Sequence, residues 1–150
     1  IRARLAAWTA DFNAGRWDRL CDLFARDLIA DFQGAPQKSW DSQCDSLLAL
    51  AASDRRFRYG LTIHEIIAAG DYAVVRLTWA VELSGPGIDG TVSTREPGMD
   101  LFRLEPDGKW RIARTLAYEA ASGRSRTIVS NASNASSYRP SSTYASPRTP

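Results

Sequence analysis

Over roughly the first third of the chain, apolar residues recur every three or four positions; beyond Asp54 they alternate every second position. Ile1, Leu5, Trp8 and Phe12 share one helical face, and Asn13-Ala14-Gly15 supplies a stop. Trp17, Leu20, Cys21 and Phe24 predict a second, shorter helix ending near Asp27. Leu28 to Phe32 predicts a brief strand, closed by Gly34 and Pro36. Ser39 can cap a third helix, because its side-chain oxygen can accept from a free amide of the first turn, and Asp41 there complements the helix dipole. The apolar side of that helix is Trp40, Cys44, Leu47, Leu48 and Ala51.

The alternating half predicts four strands. Arg58 to Ile67 and Tyr72 to Leu83 are joined by a hairpin turn at Ala69-Gly70-Asp71. After the glycine-rich loop from Ser84 to Gly90, Thr91 to Leu104 forms a third strand, broken near Pro97-Gly98. Pro106-Asp107-Gly108 turns into the fourth, Trp110 to Glu119. Helices followed by an antiparallel meander indicate an α+β fold, with three N-terminal helices packed on one face of a strongly curved, mainly antiparallel sheet. Such a sheet, closed by helices, makes a cone with an interior.

One residue resists this pattern. In a strand, side chains point alternately to the two faces, so Asp100 shares a face with Phe102 and Leu104 while Met99, Leu101 and Arg103 share the other. An acid on an apolar face has two explanations. Either it faces the interior of the cone as a proton-transfer group with a raised pKa, or it is paired with an arginine such as Arg76 or Arg114 in a buried ion pair.

Composition divides the chain in two. From Ser122 onward there are nine Ser, three Thr, four Arg and three Pro with no Asp, Glu or Lys, so residues 122–150 are expected to be a disordered tail behind a domain at 1–121. Without the four tail arginines, 15 basic residues face 17 acidic ones, and the formal charge of +2 is a property of the tail. Asn131 and Asn134 open N-x-S sequons, relevant only to a secreted eukaryotic protein. No segment is long and apolar enough to span a membrane, and no basic-then-apolar signal segment opens the sequence. Cys21 and Cys44 lack metal-ligand spacing; they are expected to be buried, reduced thiols of a cytoplasmic protein. No glycine-rich phosphate loop, serine elbow or nucleic-acid motif is present, and a lone histidine makes no metal site.

Three stretches, FNAGRWDRLCDLFARD (12–27), IHEIIAAGDYAVVRLTW (63–79) and GMDLFRLEPDGKWRIARTLAYE (98–119), resemble the SnoaL-like and ketosteroid-isomerase-like branch of the nuclear transport factor two-like superfamily. The resemblance covers roughly residues 1 to 120. It implies the cone fold, but not one activity, because the fold hosts isomerases, cyclases, dehydratases, epoxide hydrolases and non-catalytic binding modules. In ketosteroid isomerases an Asp on the corresponding strand donates a hydrogen bond to the developing enolate oxygen, and the resemblance puts Asp100 on it. It puts Trp8 at the family's oxyanion-hole Tyr and Phe32 at its general-base Asp, with Asp31 one residue early, which in a strand means the opposite face. The Arg of the epoxide-hydrolase Arg-x-Asp pair is absent before Asp100. Least is asked of the site by polyketide-cyclase-type chemistry with one Asp acid/base.

The second proton carrier is therefore sought in Asp31, otherwise a turn residue, or in His64, otherwise a solvent-facing strand histidine. Trp8, Phe12, Phe32, Trp79 and Phe102 are the candidate walls for a small apolar ligand, with aromatics at helical spacing equally serving as core. The expected activity is cofactor-independent isomerisation, cyclisation or dehydration of an apolar carbonyl compound. The alternative is a non-catalytic binding or dimerisation module. The apolar outer strand face, including Leu101, predicts a homodimer; neither nucleic acid nor membrane is expected as a partner.

Overall fold

In the computed structural model, residues 1–118 and 120 are described. The expected tail from residue 122, its sequons and the far end of the last predicted strand lie outside the described residues. The chain runs α1 (Arg2–Asn13), a 3₁₀ segment (Trp17–Leu23), β1 (Phe24–Phe32), α2 (Trp40–Ala51), β2 (Arg56–Ala69), β3 (Tyr72–Ser84), β4 (Val92–Leu104) and β5 (Trp110–Ala117). This is the expected α+β order. The second helix is shorter than its apolar spacing suggested, because the chain turns extended at Phe24, and β1 is correspondingly longer. Ser39 caps α2 as read from the sequence, in a capping box closed by Ser42.

The five strands make one sheet in the order β1-β5-β4-β3-β2. All neighbours are antiparallel except β1, which runs parallel to β5 at one edge. β4 passes unbroken through Pro97-Gly98, contrary to the expected break. The Pro97 carbonyl accepts from Tyr118 N at 3.1 Å, just past the last paired residue of β5, Ala117. A strand residue's N–H and C=O point to the same side, so the donor that proline lacks would have faced Tyr118, just beyond the end of β5.

Three register shifts interrupt the ladders: one in the parallel pair, between Phe24 and Ile29 of β1, and two in the antiparallel pairs that bend the sheet. Of the latter, one on β2, between Ile63 and Glu65, leaves His64 unpaired with β3; the other lets Phe102 pair with Ile112 while Leu101 pairs with Arg114, leaving Ala113 as the extra residue of β5. An extra residue on one strand bends that strand and increases its twist. The concave face so formed carries Val75, Leu77, Phe102 and Ile112, and α1 and α2 close over it with Leu5, Phe12, Leu47 and Leu50.

The far edge of the sheet is finished by a side chain. Asn13, the last residue of α1, donates from Nδ2 to the Tyr59 carbonyl at 2.8 Å and accepts the Tyr59 amide on Oδ1 at 2.8 Å. One amide group thereby supplies both bonds that a sixth strand would make at that residue. At the opposite side, the Asp22 carboxylate ties α1, the 3₁₀ segment and β5 together through Arg4, Lys109 and Arg111, at 2.7 to 3.0 Å.

The cysteines correct a sequence expectation. Cys21 and Cys44 are joined in a disulfide, their Cα atoms 5.6 Å apart, not held as reduced thiols. Their 23-residue separation says nothing of pairing; contact arises because the 3₁₀ segment packs against α2. The thiol argument for a cytoplasmic protein falls with it. Closing a loop of that length limits the unfolded chain, so reduction is expected to lower stability by about 3 kcal/mol. Urea unfolding with and without a reductant measures this, and coincident midpoints would show that the bond does not constrain the unfolded chain.

Candidate functional site

The cone encloses a cavity of about 50 Å³ once the width of a water molecule is allowed for at the walls. β4 supplies its floor. Glu96, Gly98 and Asp100 share the inward parity of that strand, and all three line the cavity. Gly98 has an ordinary backbone conformation, but a Cβ there would lie 3.0 Å from the Leu116 carbonyl oxygen. Glycine thus lets β5 approach closely and leaves open space between the two carboxyl groups.

Asp100 is only 2% exposed. Thr115, opposite it on β5, donates from Oγ1 to Asp100 Oδ1 at 2.9 Å. The second oxygen, Oδ2, is buried with no hydrogen-bond partner among the described residues. Burial among apolar groups penalises the charged form and the single Thr115 hydrogen bond offsets little of it, so the carboxyl pKa is pushed up to about 7. Neither arginine considered as an ion-pair partner is one. Arg76 lies 3.6 Å from Glu65, and Arg114 donates to the backbone carbonyls of Asp27 and Ala113.

The remaining sequence candidates divide. Trp8, Phe32 and Trp79 line the cavity with Asp100. The Trp8 indole N–H donates to the Leu20 carbonyl at 3.0 Å, so Trp8 is a wall and its donor is already used. Phe12 and Phe102 are buried in the core rather than on the cavity wall. Asp31 is exposed, accepts from Gln37 Nε2 at 2.9 Å, and points away from Ala30 and Phe32, which line the cavity; β1 has no bulge there to turn it inward. His64 is exposed as the extra residue of the β2 bulge, its Nε2 2.8 Å from Thr78 Oγ1. The bulge breaks the alternation that had put Thr62, His64 and Ile66 on one face. Neither Asp31 nor His64 is brought to Asp100.

Four polar lining residues escaped the sequence reading: Tyr59 on β2, Gln43 on α2, Glu96 on β4 and Thr115 on β5. Glu96 could have been found by extending the parity of Asp100 back along its strand. Gln43 stands four residues before Leu47, on the buried stripe of α2. Lys38, on the turn into α2, is also buried, and its Nζ donates to Ser46 Oγ at 2.8 Å. Burial lowers its pKa to about 8 against the opposing pull of the Glu96 carboxylate.

The profile of the SnoaL-like domain matches residues 5–113. The chain belongs to the SnoaL-like domain family. Solved structures with the same fold include a conserved protein from Planctomyces limnophilus, at TM-score 0.73 and 16% identity over 80% of this chain and 93% of that one. A ketosteroid isomerase-like protein from Erwinia carotovora aligns at TM-score 0.66 and 18% identity over 81% and 95%. A protein from Novosphingobium aromaticivorans named for scytalone dehydratase aligns at TM-score 0.70 and 14% identity over 87% and 91%. No curated protein matches the chain. At these identities the SnoaL-like cone is what the structures share. Among the described residues, no helix is long and apolar enough to cross a membrane and no group of His, Cys, Asp and Glu is arranged to hold a metal.

The raised pKa of Asp100 has a consequence for stability. Between its ordinary value of 3.8 and about 7, the folded protein holds a proton that the unfolded chain has released. The contribution is complete below the lower value and is lost as the pH rises through the upper one. Asp100→Asn removes the titration, so the variant is expected to overtake the wild type in stability by pH 8, by up to about 4 kcal/mol, while the two converge near pH 4. Urea midpoints across this range test it; parallel curves would place the Asp100 pKa near its ordinary value.

Proposed function

We propose that the protein is a cofactor-independent proton-transfer enzyme that isomerises, cyclises or dehydrates a small carbonyl compound, with Asp100 as its acid/base. The observation that carries this reading is a carboxyl group at the cavity floor with one oxygen held by Thr115 and the other facing no protein partner among the described residues. A pKa near the pH of the cell keeps both protonation states populated, which is the condition for efficient proton transfer in either direction. The ionised form takes a proton from a carbon next to the carbonyl, and the acid form returns it to another position or to a leaving hydroxyl. Thr115 keeps Oδ1 fixed, so the proton moves on Oδ2. Trp8, Phe32 and Trp79 exclude water and hold a flat ligand over the acid.

The test is a carbon NMR titration of the Asp100 carboxyl, expected to give a midpoint of about 7. A midpoint near the ordinary 3.8 removes the chemical basis of the reading and leaves a non-catalytic pocket. On a substrate that is turned over, Asp100→Asn is expected to lower kcat by at least about a hundredfold.

The reading extends to a homodimer paired through the outer sheet face. There Met99 is 48% and Leu116 59% exposed, paired across β4 and β5 and next to the half-buried Leu101. Contiguous exposed apolar side chains on the outer face favour burial against a second copy. Analytical ultracentrifugation is expected to find a dimer that Met99→Glu dissociates; a wild type that stays monomeric at high concentration overturns this part.

A further inference from the structure

The cavity in its closed form is smaller than the ligand just proposed. About 50 Å³ is free inside it, whereas benzene alone occupies a cavity of roughly 150 Å³. A ring therefore enters only after part of the wall has moved. On the sheet side, Leu77, Trp79, Gly98 and Asp100 belong to β3 and β4, which are paired with a strand on either side. The opposite side includes Gln43 on α2, with Leu23 and Phe24 where the 3₁₀ segment runs into β1.

The helix α2 is held in another way. Leu47 and Leu50 pack into the core. Among the described residues, the covalent and hydrogen bonds that its side chains make beyond the helix and the adjoining Lys38-Ser39 turn both go to one residue. Cys44 forms the disulfide with Cys21, and Trp40 Nε1 donates to the Cys21 carbonyl at 3.3 Å. Next to Cys44 stands Gln43, 7% exposed, its Oε1 buried without a partner among the described residues. That atom makes the closed position costly, and the bond at the neighbouring residue opposes the release that would return it to water. Cys44 is buried, but Cys21 is half-buried and lines a second, larger cleft of about 710 Å³ together with Asp22, Trp40, Arg103 and Arg111.

We infer that the Cys21–Cys44 bond is a redox latch on the cavity: oxidised, it holds α2 and Gln43 closed over it; reduced by a dithiol entering the larger cleft, it frees α2 to move out and admit a ring. The inference rests on the proposed ligand cavity and adds its regulation. One thiolate of the dithiol attacks Cys21 Sγ, the S–S bond breaks, and Cys44 leaves as a thiolate that takes up a proton. The second thiolate of the dithiol then attacks its own sulfur in the mixed disulfide, and Cys21 leaves and is protonated in turn. Two electrons and two protons pass from the dithiol to the protein, and the dithiol ends as a cyclic disulfide.

Native-state hydrogen exchange of the full chain, with and without dithiothreitol, tests the latch by itself. The general loss of stability on reduction speeds exchange in α2 and β3 alike, so the readout is the ratio of their rates. That ratio is expected to rise at least about tenfold on reduction, as α2 opens locally. An unchanged ratio overturns the inference and leaves a bond that only constrains the unfolded chain. Acetophenone, titrated while the NMR signals of the Trp8 and Trp79 indole N–H groups are followed, tests what the latch controls. It is expected to bind the reduced protein at least about tenfold more tightly than the oxidised one, because only the open population accepts it. Cys21→Ser/Cys44→Ser should match the reduced wild type without any reductant. Equal binding in both states overturns the inference and leaves the acid/base reading standing. If neither state binds, the ligand cavity and the latch's role in it both fall.

Discussion

A five-stranded sheet encloses space only if it bends, and in the antiparallel ladders of this protein the bend is helped by two residues that have no partner across the ladder. His64 on β2 and Ala113 on β5 each add one residue to one strand. The added length curves both strands toward the helices. Everything inside the cone follows from that. Ile112 and Ala113 are both buried beside the Ala113 shift, which keeps Thr115 on the inward side of β5 opposite Asp100. Without the extra residue, parity along β5 would reverse beyond it, and the hydroxyl that holds Asp100 would face outward.

The floor of the cavity carries polar groups at a cost in stability. A Leu at position 100 would sit comfortably between Phe102 and Val75, its neighbours along and across the strands. The acid instead keeps one hydrogen bond and one unpartnered oxygen. Gln43 adds a second unpartnered oxygen to the same cavity. Burying polar groups without partners opposes folding, and the protein confines that cost to one place. Around it the core is conventional, with Leu5, Phe12, Leu77 and Phe102 almost wholly enclosed. The aromatic cluster of Trp8, Phe12, Tyr59 and Trp79 joins the two regions, being core on one side and cavity wall on the other.

Much of this was legible in the order of residues. The change of period after Asp54 separates helices from sheet, Ser39 marks the start of α2, and alternation along β4 puts Asp100 on the buried side. What escaped reading was set by contacts between distant elements. A bulge has no local signature at His64, so alternation grouped Thr62 and His64 with Ile66, which the bulge turns to the other face. The pairing of Cys21 with Cys44 depends on how the 3₁₀ segment meets α2. The far strand boundary at Phe24 was obscured because Trp17, Leu20 and Phe24 fit a helical period as well as they fit a 3₁₀ segment running into a strand. Tyr59 looked like any inward aromatic of a strand. Its place on the cavity wall exists only once its neighbours are known.

Asn13 guards an edge of the sheet. β2 ends the sheet, and an open outer strand offers its amides and carbonyls to any extended chain that comes by. At Tyr59 that offer is withdrawn, because α1 lays its terminal amide along the strand and occupies both groups. A visiting strand would have to displace a whole helix end to continue the ladder there. Association along this margin is therefore discouraged by construction, and the broad outer face remains the surface through which copies could meet without the sheet growing sideways into an aggregate.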